Sequence, residues 1–395
     1  MKKITLLASL LFSIMATSQI IYVDQNAIGL NDGSSWADAF IDLQDAVDEA
    51  NFDSALSELY IAEGTYFPSI PSGRDATFNL TEEILLFGGF SPANGAIDLA
   101  TRDFRLYETT LNGDIGTIDD SSDNAYTVVT ITSPGVFVLI DGIHIEKGNA
   151  NELTGTENQT TGGAIFKKDG SATLSLRNCT FSENNSFGNG GAIYADNVGA
   201  LRVNNTIFDT NTSEQGRGGA VHYNMGSNTN SGVFLSAQFF NTTFSGNTAT
   251  APGDIGYTNN TGPITLRIGN SILWNNDDDG IDDIFQDLGT PITQEFSYSL
   301  IEGVDLSATN GLDGTNPAND PLYTNPAGND FTLQNTSPVL DRGANFITNQ
   351  VVDLNETGMV ATGQTQLTNY TTVLRLQKHV TSLKYGSLRE PISRR

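Results

Sequence analysis

The densest set of ligating side chains is "NNDDDGIDD", residues 275–283. Asn275-x-Asp277-x-Asp279-Gly280 imitates the opening of a calcium loop, in which alternate side-chain oxygens converge and a glycine makes the sharp turn. Asp277, Asp279 and Asp282 are therefore the metal candidates, with Ca2+ as the ion. The twelfth position, however, is Gln286, where a bidentate glutamate belongs. A solvated acidic turn accounts for the stretch more simply, and no cofactor is required. The stretch "GDIGTIDDSSD" offers Asp114, Asp119, Asp120 and Asp123 and reads the same way.

Removing a proton beside a uronate needs a base, often Arg or Lys, with Ca2+ to acidify the carbon; hydrolysing a glycoside needs two carboxylates. Arg217 and His222 flank one double-glycine strand and His144 sits in "DGIHIEKG". None pairs by spacing with a carboxylate, so these three read as ladder or surface residues and no catalytic residue is assigned.

The elements that would position such groups repeat. Double glycines fall at Gly162-Gly163, Gly190-Gly191 and Gly218-Gly219, 28 residues apart both times. In step with them run Asn178-x-x-Phe181-x-x-Asn184, Asn205-x-x-Phe208-x-x-Asn211 and Asn241-x-x-Phe244-x-x-Asn247, with a worn copy at Asn270-x-x-Leu273-x-x-Asn276. The third copy carries extra residues, and "SYSLIEG" near Leu300 reads as one more worn coil. A unit of this length holds two or three short strands, and stacking such units places like strands about 4.8 Å apart in parallel sheets. Phe181, Phe208 and Phe244 then form one ladder, Asn184, Asn211 and Asn247 another. Ile165, Ile193, Val221 and Ile255 share a position, and Cys179, Thr206, Thr242 and Ser271 share a small inward slot. Asparagine tolerates the left-handed region that sharp turns need and can hydrogen-bond along a column; glycine allows a tight bend. If Ile165, Ile193 and Val221 point inward, Phe166, Tyr194 and His222 point outward. They form a strip suited to lie against sugar rings unless a neighbouring loop covers it.

The flanks set the context. "MKKITLLASLLFSIMATSQ" has the basic start, apolar core and small-residue cleavage site of a signal peptide, so export is expected, with cleavage near Gln19. No later segment is apolar for long enough to cross a bilayer as a helix. Cys179 is the single cysteine, which excludes an internal disulfide. A net charge of −27 disfavours nucleic acid as a partner and makes divalent cations plausible companions. Trp36, Phe40, Leu43, Val47 and Ala50 recur at helical spacing, which predicts an amphipathic capping helix entered from Ser34 or Ser35. The short strands "ELYIAEGTYF", "EEILLFGGF", "AYTVVTIT" and "VFVLIDGIHIEKG" follow without helical spacers. From Thr372 onward six basic residues face one acid, and this tail reads as poorly ordered.

On these residues the chain resembles right-handed parallel β-helix proteins of the pectin-lyase-like superfamily. Gly162-Gly163-Ala164-Ile165, Gly190-Gly191-Ala192-Ile193 and Gly218-Gly219-Ala220-Val221, with Phe181/Asn184, Phe208/Asn211 and Phe244/Asn247, resemble the GGA[ILV] and FxxN signature of polymorphic outer-membrane protein repeats. The opening "IYVDQNAIGLNDGSSWADAF", "LNGDIG", "SILWNN" and "DPLYTNPAGNDFTLQNTSPVLDRG" look like secreted Bacteroidetes β-helix proteins. The expected fold is all-β, a right-handed parallel β-helix solenoid with an N-terminal capping helix. Expected divisions are a signal peptide (1–18), cap and first coils (19–140), a repeat region (141–345) and a divergent tail (346–395). The resemblance implies a monomer on the surface of, or secreted from, a Gram-negative bacterium. Its expected role is adhesion or carbohydrate contact without turnover, through Phe166, Tyr194 and His222, with an extracellular polysaccharide or cell-surface glycan as partner. A polysaccharide lyase or glycoside hydrolase is the alternative.

Overall fold

The computed structural model describes residues 19–52, 57–168, 173–196, 200–224, 236–250, 253–259, 265–276, 284–289 and 293–344. The expected signal peptide, Asp277, Asp279 and Asp282, and the basic tail lie outside the described residues.

One coil consists of the strands Ile165–Lys167, Thr173–Arg177, Thr180–Ser182 and Asn185–Ser186, and the next begins at Ile193–Asp196. Each strand pairs in parallel with its counterpart one coil later: Ile165 with Ile193, Leu174 with Leu201, Phe181 with Phe208, Asn185 with Thr212. Repetition builds parallel sheets of nine, eight, seven and four strands. The result is a parallel β-helix, right-handed as strand–crossover–parallel strand connections are. The nine-stranded sheet runs from Gln19–Val23 to Thr293–Ser297 and passes through residue 140. Two of the stretches that look like single strands are each two strands with a corner between them. "VFVLIDGIHIEKG" breaks at Gly142 (φ 76°) into Phe137–Asp141 and His144–Glu146, and "ELYIAEGTYF" breaks into Ser57–Ala62 and Gly64–Tyr66.

Alternation in each strand sends every second side chain into a narrow interior. On the eight-stranded sheet the inward column is Tyr66, Leu111, Ile145, Phe181, Phe208, Phe244, Leu273 and Ile301, so "SYSLIEG" is indeed another coil. The rings of Phe181 and Phe208 stack at 4.9 Å, those of Phe208 and Phe244 at 4.7 Å, both within 9° of parallel. The seven-stranded sheet contributes Phe78, Val129, Ile165, Ile193, Val221 and Ile255, and the nine-stranded sheet contributes Leu86, Ile140, Leu176, Val203, Phe239 and Ile268. These columns meet in one continuous core.

The two asparagine columns do different work. Asn178, Asn205, Asn241 and Asn270 take left-handed backbone, φ 54°, 51°, 54° and 53°. At the second column the left-handed position falls one residue earlier, on Glu183, Thr210, Gly246 and Asn275. Asn184, Asn211 and Asn247 are instead buried and bonded along the axis. Asn184 Nδ2 donates to Asn211 Oδ1 (3.0 Å), Asn211 Nδ2 to Asn247 Oδ1 (2.9 Å) and Asn247 Nδ2 to Asn276 Oδ1 (3.2 Å). Each Oδ1 also accepts a backbone N–H from the preceding coil, as from Asn184 to Asn211 (3.2 Å). The double glycine divides its work likewise. Gly190 is left-handed (φ 71°), whereas a Cβ on Gly191 would lie 2.1 Å from the Gly219 carbonyl oxygen.

The capping helix is shorter than its periodicity predicts. Helix α1 spans Leu43–Phe52 and buries Leu43, Ala46, Val47 and Ala50 against the first coil. Asp42 Oδ1 accepts the Gln44 N–H at 2.9 Å, which starts the helix there rather than at Ser34 or Ser35. Trp36 and Phe40 precede it. Trp36 packs on the outside against Tyr22 (4.9 Å) and Phe90 (5.3 Å), while Phe40 bridges to Val23. At the other end an antiparallel pair, Tyr323–Asn325 with Asp330–Leu333, folds back. Tyr323, Phe331, Leu333 and Val339 cover Ile272 and Leu300 on the outer face of the eight-stranded sheet.

Candidate functional site

Phe166, Tyr194 and His222 lie in register on the seven-stranded sheet and stack, 5.8 Å apart at 12° and 7°. They point outward, but only 4%, 5% and 1% of their surfaces reach solvent. The open sugar platform expected from the sequence is therefore not what the fold provides. Its cover is anchored by the short helix α2 (Glu157–Thr160), where the Thr156 N–H donates to Gln159 Oε1 at 2.8 Å. The Tyr194 hydroxyl donates to Glu157 Oε1 at 2.8 Å, and Lys168 pairs with the same carboxylate. Burial and that acidic partner push the Tyr194 phenol well above its ordinary range.

Phe166 does line a cavity of about 380 Å³ at the N-terminal end of this sheet. Gln44, Asp48 and Asn51 of α1 form one wall. Thr77, Asn79, Thr130 and Thr132 of the sheet region form another, with Asn158, Ile70 and Pro71 at the margins. Several of these groups are held in place. Asn51 Nδ2 donates to the Asn79 carbonyl (2.7 Å), Thr130 Oγ1 to Asn79 Oδ1 (3.1 Å), and Gln44 Nε2 to Asp48 Oδ1 (3.1 Å). Gln44 Oε1 is buried with no hydrogen-bond partner among the described residues. Among the described residues the polar lining is amide and hydroxyl with one carboxylate and no cation, beside one aromatic ring. Such a surface offers directional hydrogen bonds to a polar, uncharged ligand.

Titratable groups converge elsewhere, on the outer face of the eight-stranded sheet. The residue after each member of the phenylalanine column points outward, giving Asn112, Glu146, Ser182, Asp209 and Ser245 in register. His144 Nδ1 lies 2.8 Å from Glu108 Oε1, and its Nε2 lies 2.7 Å from Ser182 Oγ and 3.5 Å from Glu146 Oε2. Asn112 Nδ2 donates to Glu146 Oε1 at 2.6 Å. The bond to His144 draws the Glu108 carboxyl below its usual range, while burial raises that of Glu146. Burial first, then repulsion from Glu183, pushes the Asp209 carboxyl up to about 6. Asp209 is 4% exposed, and its carboxylate has neither hydrogen-bond nor ion-pair partner among the described residues.

The sequence reading missed this cluster because its members are a coil apart, 36 residues from Glu108 to His144 and 38 from His144 to Ser182. Aligning the residue that follows each ladder phenylalanine would have found the column. The other expected sites resolve locally. Asp114 and Asp119 share the Lys147 ammonium at 3.0 Å each, and Asp123 Oδ2 accepts the Thr117 N–H at 2.9 Å. No group of three or more His, Cys, Asp or Glu among the described residues is arranged to hold a metal ion. Arg217 donates its backbone N–H to Asn189 Oδ1 at 2.9 Å in the glycine turn. Cys179 is buried, its thiol pushed up to about 12 by desolvation, and so is inert.

Stacked parallel coils, glycine-paired turns and an interior phenylalanine ladder define a parallel β-helix repeat protein. Residues 178–196, which carry the first FxxN element and the second double glycine, match the repeat of the Chlamydia polymorphic membrane protein family. Over 95 residues, 23% of the chain, it is 42% identical to the probable autotransporter YfaL of Escherichia coli (strain K12), a stretch that covers 7% of that protein. Crystal structures of the pectin methylesterase from Aspergillus niger, in deglycosylated and penultimately deglycosylated forms, superpose with a TM-score of 0.38 at 15% identity. They cover 76% of this chain and 79% of theirs, a likeness too distant to bear on activity.

Proposed function

We propose that this surface or secreted β-helix protein holds an extracellular glycan, without turnover, in the cavity between α1 and the outer face of the seven-stranded sheet. One observation carries the reading: a space of about 380 Å³ walled by amides and hydroxyls, with Phe166 as its aromatic edge and an unpartnered oxygen on Gln44. Sugars offer hydroxyl donors and acceptors with apolar ring faces, and that combination matches this lining. The likeness to an autotransporter and to polymorphic membrane protein repeats supports display at the cell surface. No cationic side chain among the described residues lines the cavity, which argues against a uronate there and against a lyase base. A glycan array probed with the protein and with Thr132→Trp, which fills the cavity mouth, tests the reading. Binding to neutral glycans that Thr132→Trp abolishes is expected; binding indifferent to that change would remove the idea.

A second reading is hydrolysis, favoured by Glu146 and Asp209, two carboxyls of raised pKa on one outer column. Release of reducing ends from the array's positive glycans would establish it.

A further inference from the structure

We propose that the outer face of the nine-stranded sheet binds a sulfate ester carried on an extracellular polysaccharide, held between Arg177 and Arg202 with the Asn204 amide as third donor. The choice of a polysaccharide as carrier rests on the glycan reading; the anion does not. Thr173–Arg177 and Ala200–Asn204 are adjacent strands in register, with Ser175 beside Arg202 and Arg177 beside Asn204. Leu174, Leu176, Leu201 and Val203 enter the core, so those four residues between and beside them all face outward. They mark the corners of one cell of the sheet, about 4.8 Å across the rung and about 6.6 Å along the strand.

In a chain of net charge −27 this cell is cationic. Arg202 is half-buried, yet its guanidinium has no hydrogen bond, ion pair or ring contact among the described residues. Its neighbours are Ser175 and Gln238 across the rungs and Ala200 and Asn204 along the strand. None is acidic, and neither is any diagonal position on the two adjoining strands. Arg177 has one acid within reach, Asp141 on the preceding rung, 3.7 Å from an Nε that is buried without a hydrogen bond. That carboxylate is already engaged by Arg102 at 2.9 Å and Asn178 at 2.6 Å. Asn204 Oδ1 accepts from Asn241 Nδ2 at 3.0 Å, which leaves the Asn204 amide N–H groups to donate. Ser175, 3% exposed, makes only the floor. Two guanidinium groups and an amide therefore offer donors from three sides. A sulfate ester has three terminal oxygens to receive them, whereas a carboxylate has two in one plane. A phosphate monoester has the same shape but carries nearly two charges at neutral pH, and an acidic chain repels it more. Repulsion from acids farther away is damped beyond about 8 Å at physiological ionic strength.

Isothermal titration at pH 7.5 with dextran sulfate, unsulfated dextran, polygalacturonate and phosphatidylglycerol vesicles tests the proposal. Dextran sulfate should bind about tenfold or more tighter than either of the other polysaccharides, the worth of one charge-assisted hydrogen bond. Arg202→Gln should weaken it by about the same factor. That variant should melt with the native protein, because Arg202 makes no bond in the folded chain, so lost binding is not lost folding. Arg267→Gln is the control: it stands in the same outward column but is paired with Glu295 at 2.7 Å, and should change binding less than about twofold. Full binding by Arg202→Gln, or equal losses in the two variants, would overturn the proposal, the second because it marks diffuse charge attraction. Equal binding of polygalacturonate would overturn the sulfate, and equally tight binding of the vesicles would overturn the polysaccharide. The two readings fail separately: the cavity reading on Thr132→Trp in the array, this one on Arg202→Gln in the titration.

Discussion

Two aromatic ladders run through this β-helix, and both are buried. Phe181, Phe208 and Phe244 stack inside the eight-stranded sheet; Phe166, Tyr194 and His222 stack outside the seven-stranded one. The first is enclosed by its own coils. The second is closed off by a non-repeating segment through Glu157 and α2. Alternation along a strand therefore chooses a face, not an exposure. An outward position becomes a surface only where nothing returns to it, and the polar column is largely enclosed as well, with Ser182 2% and Asp209 4% exposed. Further along the same sheet, Ile272 and Leu300 are outward and again covered, by Tyr323, Phe331 and Val339.

Substitutions can break or sharpen this contrast. Phe208→Ala removes the middle ring of the inner ladder, which two neighbours at 4.9 and 4.7 Å cannot refill, and should cost about 3–5 kcal/mol in denaturant unfolding. Tyr194→Ala should cost about 3 kcal/mol, the lower end for a buried aromatic. A value within about 0.5 kcal/mol, the range of an open surface, would mean the cover over the outer strip is not formed. The asparagine columns sharpen the point with one residue type. Asn211→Gly strips the Asn184 backbone N–H of its partner, removes one bond each from the Asn184 side-chain amide and the Phe181 carbonyl, and should cost about 2 kcal/mol or more. Asn205→Gly keeps the left-handed turn, loses one side-chain bond to Asn178, and should cost about 1 kcal/mol or less.

The smallest effect is on pH. The folded Asp209 carboxyl, at about 6, lies above the ordinary 3.8, so between those values the folded chain holds more protons than the unfolded one. Stability from this residue is present below about 4 and is lost as pH rises through about 6. Asp209→Asn should therefore melt above the native protein at pH 7.5, with the gap closing toward pH 4. A gap independent of pH would show that Asp209 is not desolvated.

Much of this was legible because the repeat is local and printed on the residues. The ladders at Phe181, Ile165 and Cys179 followed from counting, and so did the glycine turns. The start of α1 did not, because Trp36 and Phe40 keep helical spacing while packing on two different surfaces. Asp42 decides the boundary through a hydrogen bond that no periodicity carries. The Glu108–His144–Ser182 network was invisible to spacing along one coil, though a column-wise alignment holds its Glu146, Ser182 and Asp209 positions.

The order of amino acids alone thus determined the winding, the rung length and which side chains enter the interior. Each follows from alternation within a strand and recurrence between coils, both short-range properties. How each outward column is sheathed, and that an acid on one rung lies beside a serine on another that the His144 ring engages, only the tertiary structure decided. Those outcomes depend on where unrepeated segments fold back, and such packing is settled by distant contacts that leave no period in the chain.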